Sequence, residues 1–128
     1  LGTGKTCIAR GIGRGLGIVE PITSPTFVMI REHVAPASRL RFYHIDLYRI
    51  QSPQEAWSVG IEEYLYGEGV CAIEWPERAL ELLPREHLWV ELEHLGESQR
   101  TLRITALGER YRELLFQFRK HAFGLGSV

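Results

Sequence analysis

The chain opens with a short glycine-rich segment that could bind phosphate. Its residues, Leu1-Gly2-Thr3-Gly4-Lys5-Thr6, match the second half of the pattern G-x-x-x-x-G-K-[ST]. In that pattern the glycines let backbone N–H groups surround phosphate oxygens, the lysine reaches the β- and γ-phosphates, and the hydroxyl binds Mg2+. The alternative is a glycine-rich helix start with an exposed lysine. A nucleotide-phosphate site is the better interpretation, because an apolar helix pattern follows at once and only one other lysine occurs in the chain.

Two acidic residues follow strand patterns, where a Mg2+-nucleotide site needs a carboxylate. Glu74 follows the apolar run Val70–Ile73, and Asp46, the only aspartate, follows Phe42–Ile45. A carboxylate there orients the ion or its bound water, because Mg2+ keeps octahedral oxygen coordination. For each residue the alternative is a solvated strand-end carboxylate or a cap, and Asp46 could cap a turn that contains Tyr48.

A third segment, Thr23–Phe27, lies where the switch loops of phosphate-loop enzymes meet the γ-phosphate. Its alternative is a plain turn with Pro25 at the second position. The chain contains no asparagine, which excludes the Asn-Lys-x-Asp loop that recognises guanine.

Hydrophobic periodicity predicts the elements that position these residues. Ile8, Ile12 and Leu16, at i, i+4 and i+8, predict a helix from about Lys5 to Leu16 that ends at Gly17. We expect strands at Phe27–Val34, Arg39–Ile45 and Val70–Ile73, and an antiparallel pair near the sheet edge at Leu88–Glu93 and Thr101–Thr105. The segment Pro53–Leu65 should be mostly helical with a break at Gly60, and Pro76 should start another helix. A last amphipathic helix should carry Tyr111, Leu114, Leu115 and Phe118 on its apolar face.

This order of elements predicts an α/β fold whose sheet mixes parallel and antiparallel strands, with Val70–Ile73 buried on both faces. At 128 residues and 45% hydrophobic composition, the chain can bury one sizeable core, so we expect a single domain over residues 1–128.

The composition excludes several classes of protein. The formal net charge of -1 gives no bulk attraction to nucleic acid or to an anionic membrane. No run of about 18 apolar residues exists, which excludes a transmembrane helix. Cys7 and Cys71 lie in apolar runs without metal-like spacing, so we expect buried thiols in a reducing cytoplasm. The five histidines show no zinc-binding pattern, and His44 is notable because it lies two residues from Asp46 on the same strand face.

Four motifs in order resemble the TsaE (YjeE) family over nearly the whole chain. They are Leu1–Thr6, Ser24-Pro25-Thr26-Phe27, His44-Ile45-Asp46-Leu47-Tyr48-Arg49 and Ile73-Glu74-Trp75-Pro76-Glu77. The resemblance implies a three-layer P-loop NTPase fold. It also implies the ATPase component of the machinery that makes threonylcarbamoyladenosine at position 37 of tRNA, in a complex with the TsaB and TsaD proteins. TsaD would carry the transferase chemistry, and tRNA would be reached through the complex.

The resemblance also implies roles for individual residues, with ATP and Mg2+ as cofactors. Gly2, Thr3, Gly4 and Lys5 resemble the phosphate cradle, while Thr6 and Glu74 resemble the Mg2+ ligands. Asp46 resembles the acid that positions the attacking water. The remaining matches are Thr26, which resembles a switch-like threonine, and Arg100, which resembles a nucleotide-contacting arginine; the alternative for Arg100 is a rim arginine on a hairpin.

Members of the family usually carry an N-terminal segment whose last strand leads into the first glycine of the loop. This sequence begins after that segment, so we expect it to bind ATP less tightly than an intact homologue, and an upstream extension to restore binding.

Two other classes of protein share parts of this pattern. A small nucleotide or metabolite kinase has the same loop but needs an acceptor pocket and usually a lid, for which 128 residues leave little room. A non-catalytic interaction module would keep the loop as a vestige, and ATP would then have no effect on its assembly.

Overall fold

The computed structural model describes residues 5–22 and 30–124, with the side chains of Lys5, Thr6 and His94 left out. The chain divides into two compact units, Leu1–Leu83 and Pro84–Val128. The assignment of residues 1–128 to one domain stays a prediction.

The first unit alternates helices and strands, as the periodicity predicted. A proline at the first helical position starts both the second helix and the later 3-10 segment. Gly60 separates the second helix from the third. The elements of this unit are α1 (Lys5–Gly15), β1 (Ile30–Val34), β2 (Arg41–Asp46), α2 (Pro53–Ser58), α3 (Ile61–Leu65), β3 (Val70–Glu74) and a 3-10 segment (Pro76–Leu82).

The described strands of this unit form a mixed sheet in the order β1-β2-β3. β1 pairs antiparallel with β2, from Ile30 opposite Ile45 to Val34 opposite Arg41. β2 pairs parallel with β3, from Phe42 opposite Val70 to Asp46 opposite Glu74. The predicted mixed α/β class is therefore confirmed. The prediction that β3 is buried on both faces is confirmed only in part: its residues pack into clusters on both faces, but all five are partly exposed, and its one strand partner among the described residues is β2.

Helical elements cover both faces of this sheet. On one face, Phe42, Val70 and Ala72 pack in a cluster with residues of α1 and of the segment that follows it. On the other, Tyr43, Ile45 and Ile73 pack with residues of α2, α3 and the 3-10 segment. Since side chains alternate between the faces of a strand, every residue of β2 and β3 can be assigned to one face or the other.

Helix α1 packs through small residues, which corrects the predicted apolar stripe. Ala9 and Gly13 are buried, whereas Ile12, predicted to face the core, is 37% exposed. Gly13 leaves room for a close neighbour, because a Cβ there would stand 1.9 Å from Ile22 Cδ1. Alanine and glycine thus let α1 approach the segment that follows it, and the contacting face is shifted by one residue from the one predicted.

The end of α1 lies close to the start of β2. Gly17, with φ +91°, ends the helix and lies against Ala35, since a Cβ on Gly17 would be 3.8 Å from Ala35 Cβ. The Ala35 N–H donates to the carbonyl of Leu40, just before β2 begins.

The second unit contains β4 (His87–His94), β5 (Arg100–Leu107) and α4 (Glu109–Phe123). The strands pair antiparallel, from His87 opposite Leu107 to His94 opposite Arg100, so the predicted pair is confirmed. Within residues 30–124 the pair forms its own two-stranded sheet, and its predicted place near the edge of the larger sheet stays a prediction. No residue of α4 is fully buried: Leu114 and Phe118, predicted for its apolar face, are exposed. None of the helices over the described ranges has the length and apolar character needed to cross a membrane.

The two thiols differ in accessibility, which corrects the expectation that both are buried. Cys7 lies on the exposed side of α1, two residues before the buried Ala9 and so on the opposite side of the helix. Cys71 packs against the α2–α3 layer, and its Sγ–H donates to the carbonyl of Tyr64 at 3.2 Å. Burial raises the pKa of the Cys71 thiol to about 11.

We therefore expect iodoacetamide at pH 8 to label Cys7 well before Cys71 in the folded protein. The thiolate is the reactive species, and the raised pKa of Cys71 leaves it protonated below about pH 11. Mass spectrometry of timed samples measures the two rates, and denatured protein, in which both thiols should react alike, is the control. Equal labelling in the folded protein would contradict the burial of Cys71.

Candidate functional site

The two predicted carboxylates lie side by side at one edge of the sheet. Asp46 is the last residue of β2, Glu74 is the last residue of β3, and their Cα atoms are direct partners in the parallel register. Parallel strands bring their carboxyl ends to the same edge, and this is the edge where ligands of open α/β sheets bind. The pairing brings together two residues that are 28 positions apart in the sequence.

Both carboxylates are on the face of the sheet that α1 covers. Asp46 shares that face with Phe42, and Glu74 shares it with Val70 and Ala72, by the alternation of each strand. The two carboxylates and α1 are therefore on one side of the sheet. Lys5 is the first residue of that helix.

A buried histidine holds Glu74. His44, on the same face of β2, places its Nε2 atom 2.6 Å from Oε2 of Glu74. The His44 side chain is fully buried, and the Glu74 side chain is only 11% exposed. A short hydrogen bond in such a poorly hydrated place is worth more than one in water. The orientation of Glu74 is therefore set by the neighbouring strand.

Asp46 is held by its own chain. Its Oδ1 accepts a hydrogen bond from the backbone N–H of Tyr48 at 2.9 Å, so Asp46 does cap the turn that was the alternative to a site role. The turn does not exclude a chemical role. Among the described residues, this bond uses one oxygen of a partly exposed carboxylate and leaves the other for solvent or a ligand.

An aromatic contact joins the two segments that follow these carboxylates. The rings of Tyr48 and Trp75 have centroids 5.0 Å apart, and the guanidinium of Arg78 lies over Tyr48 at 5.9 Å. Trp75 has a left-handed backbone, with φ 60° and ψ 48°, which is uncommon for a residue other than glycine. Strained backbone of this kind costs of order 1–3 kcal/mol and clusters at functional sites. The tryptophan is partly buried against the core.

The remaining predicted residues are placed only in part. Gly2, Thr3, Gly4 and Thr26 lie outside the described residues, and Lys5 and Thr6 are described by backbone alone. Arg100 is the exposed first residue of β5, in the second unit. Their proposed contacts with a nucleotide stay predictions.

The donor set at the sheet edge fits Mg2+ held together with a nucleotide. Within residues 5–22 and 30–124, no group of three or more His, Cys, Asp or Glu side chains could hold a metal by itself. Mg2+ does not require such a group, since it is commonly bound by one or two carboxylates, substrate phosphates and water. Glu74 and Asp46 offer carboxylate oxygens of that kind.

Sequence reasoning missed the bond between His44 and Glu74. It paired His44 with Asp46, because the two are neighbours on one strand face. The sequence contains His-x-Asp at the end of β2 and Glu at the end of β3. These residues would have indicated the bond only if the parallel register of the two strands had been known. That register places His44 opposite Ala72, two residues before Glu74.

Comparisons with known proteins agree with the motifs. A model of the family "Threonylcarbamoyl adenosine biosynthesis protein TsaE" matches residues 1–102. The tRNA threonylcarbamoyladenosine biosynthesis protein TsaE of Bacillus subtilis is 38% identical over 121 residues, which cover 94% of this chain and 74% of that protein. Its counterpart in Treponema pallidum is 40% identical over 104 residues, 81% of this chain and 75% of that protein.

A solved structure is similar as well. The crystal structure of Bacillus subtilis YdiB superposes with a TM-score of 0.77 at 34% identity, over 94% of this chain and 72% of that one. The family match covers most of the chain, and the relatives are similar over most of their own lengths. The chain therefore belongs to the TsaE family.

Proposed function

We propose that this chain is the ATP-binding and ATP-hydrolysing component of the machinery that forms threonylcarbamoyladenosine in tRNA. Membership of the TsaE family supports the pathway. The finer proposal is a P-loop NTPase fold that acts in the cytoplasm with the TsaB and TsaD proteins, TsaD carrying the transferase chemistry. tRNA is then reached through the complex.

One observation carries the ATPase proposal: Asp46 and Glu74 are register partners at the carboxyl ends of adjacent parallel strands. A phosphate loop followed by a helix needs an acidic residue at this edge of the sheet to complete a Mg2+-nucleotide site. The sequence supplies the loop as Gly2-Thr3-Gly4-Lys5-Thr6, directly before and at the start of α1.

In this proposal, each group has a role that matches its chemistry. The backbone of Gly2, Thr3 and Gly4 and the Lys5 ammonium hold the phosphates, and the N-terminus of α1 favours the negative charge. Thr6 and Glu74 hold Mg2+, which when bound neutralises charge on the phosphates. Asp46 orients the attacking water. Thr26 senses the γ-phosphate, and Arg100 contacts the nucleotide.

Positioning and electrostatics are sufficient for phosphoryl transfer to water. Hydrolysis would then drive conformational cycling of the complex. A kinase would instead require an acceptor, and the proposal predicts that phosphate goes to water.

The test is an ATPase assay of the chain alone and with TsaB and TsaD, comparing the unchanged chain with Lys5→Ala and Asp46→Ala. We expect the partners to stimulate turnover, and each substitution to lower it about 100-fold or more, because each removes an electrostatic or positioning group of the transition state. Thermal unfolding checks that the variants fold. Turnover that is insensitive to both substitutions, or phosphate transfer to added nucleosides or nucleotides in preference to water, would contradict the proposal.

A further inference from the structure

We propose that His44 is a positioning residue that fixes the Glu74 carboxylate in the orientation needed for nucleotide-bound Mg2+. This inference rests on the proposed ATPase function and assigns a role to a residue outside the phosphate loop. The juxtaposition that supports it is the contact between His44 Nε2 and Glu74 Oε2 across two parallel strands, on the sheet face that packs with α1.

The hydrogen bond uses one carboxylate oxygen of Glu74, so in this proposal the other oxygen binds Mg2+. Oε2 lies 2.6 Å from His44 Nε2, and the side chain is largely buried. Among the described residues no other hydrogen bond to this carboxylate occurs. A carboxylate anchored at one oxygen presents the other in a restricted direction, which is how hydrogen bonds to metal-ligating carboxylates orient them.

The surroundings of His44 indicate which of its nitrogens carries the proton. Nδ1 is buried and has no hydrogen-bond partner among the described residues. A proton on Nδ1 would bury an unsatisfied N–H donor, whereas a proton on Nε2 is donated to an anionic acceptor. We therefore assign a proton to Nε2, which donates it to Oε2 of Glu74.

The ring itself has little freedom to move. His44 is fully buried, and its ring stacks on that of Phe42, with centroids 6.4 Å apart and planes 21° from parallel. Phe42 is also fully buried, and its ring stacks with that of His33 at 6.2 Å. The donor that holds Glu74 is thus part of the packed face of the sheet.

His33 offers a matched control. Like His44, it is buried, stacks with Phe42, shares the same sheet face and contacts a carboxylate, Glu20, at 2.5 Å from Nδ1. It differs in the carboxylate partner, which is the exposed Glu20 in place of the nearly buried Glu74, and in the ring nitrogen that makes the contact. Any loss that comes from disturbing this aromatic packing should be common to both histidines.

The test compares His44→Phe, His44→Gln and His33→Phe in the full chain. Phenylalanine keeps a stacked ring without a donor, and glutamine restores an N–H donor. Each protein is saturated with the imido analogue of ATP and titrated with Mg2+, while nucleotide affinity in EDTA is measured separately. We expect His44→Phe to weaken Mg2+ binding about 10- to 100-fold, with nucleotide affinity in EDTA nearly unchanged. His44→Gln should recover most of the loss, and His33→Phe should bind Mg2+ like the unchanged chain.

A second measurement reads the bond directly, without nucleotide or metal. Two-bond 1H–15N correlations of the imidazoles distinguish the tautomers, and we expect the proton of His44 on Nε2. Glu74→Gln should shift the His44 resonances and leave those of His33 in place.

The outcomes separate this inference from the proposed function. Mg2+ affinity within twofold of the unchanged chain in His44→Phe, an equal loss in His33→Phe, or a proton on Nδ1 would overturn the role of His44 while leaving the ATPase proposal intact. An unchanged chain that binds no nucleotide would overturn the proposed function, and the role of His44 with it.

Discussion

Replacing Glu74 with glutamine is expected to lower Mg2+-dependent ATP hydrolysis about 100-fold or more. The substitution keeps the size of the side chain and removes its negative charge, which is what a Mg2+ ligand supplies beside the phosphates. Steady-state turnover as a function of Mg2+ concentration measures the effect, and higher Mg2+ should recover part of the lost rate. The loss should be in Mg2+ binding and turnover, with little change in nucleotide affinity measured in EDTA.

Glu63→Gln is the matched control for this experiment. Glu63 is an exposed glutamate of α3, a helix that packs on the opposite face of the sheet. Its substitution should leave turnover within twofold of the unchanged chain. If Glu74→Gln hydrolyses ATP at the rate of the control, with the same Mg2+ dependence, Glu74 is not the acid of the site.

Replacing Phe42 with alanine is expected to lower the free energy of unfolding of the first unit by about 3–5 kcal/mol, the usual cost of truncating a buried phenylalanine. Phe42 is fully buried in the cluster that joins α1 to the sheet, and its ring stacks with those of His33 and His44. Urea unfolding followed by tryptophan fluorescence measures the loss. Such a loss is a large share of the 5–15 kcal/mol that stabilises a typical domain.

The exposed Val19 supplies the comparison. It is 82% exposed, so Val19→Ala should change the free energy of unfolding by no more than about 0.5 kcal/mol. A loss below about 1 kcal/mol in Phe42→Ala would mean that this ring is not central to the packing between α1 and the sheet.

Local periodicity was sufficient to predict most elements of this chain. The alternation in Leu88–Glu93 and Thr101–Thr105 predicted the antiparallel pair β4–β5, and Gly17 marked the end of α1 to within two residues. The apolar run before Glu74 predicted β3. In each of these cases the signal is contained in a few consecutive residues, so no knowledge of distant contacts is needed.

Burial was less predictable, because it depends on what a face meets. The isoleucines of α1 suggested a contact face, yet the helix packs through Ala9 and Gly13, where small size permits a close approach. Cys7 is exposed for the same reason, since a face shifted by one residue turns it toward solvent. Periodicity gives the angular spacing of a helix, but the choice between neighbouring stripes depends on the surface opposite.

At the candidate site, too, local sequence predicted some features and not others. The residue types of Asp46 and Glu74, each after an apolar run, predicted acidic residues at strand ends. The bond between His44 and Glu74 could not be predicted, because it depends on the register of two strands that are separated by 23 residues of intervening chain, residues 47–69. Register is set by packing and by the hydrogen-bond ladder, neither of which is visible in either strand alone.

The parallel pairing of β2 with β3 determines where the chain can accept inserted residues. Residues can be added to the crossover between the strands without disturbing which carboxylates meet, because loop extension costs only a few tenths of a kcal/mol. One extra residue within Arg41–Asp46 would instead turn the acid at its end toward α2 and α3. Insertions between homologues are therefore compatible with function in the crossover and incompatible with it inside the strand.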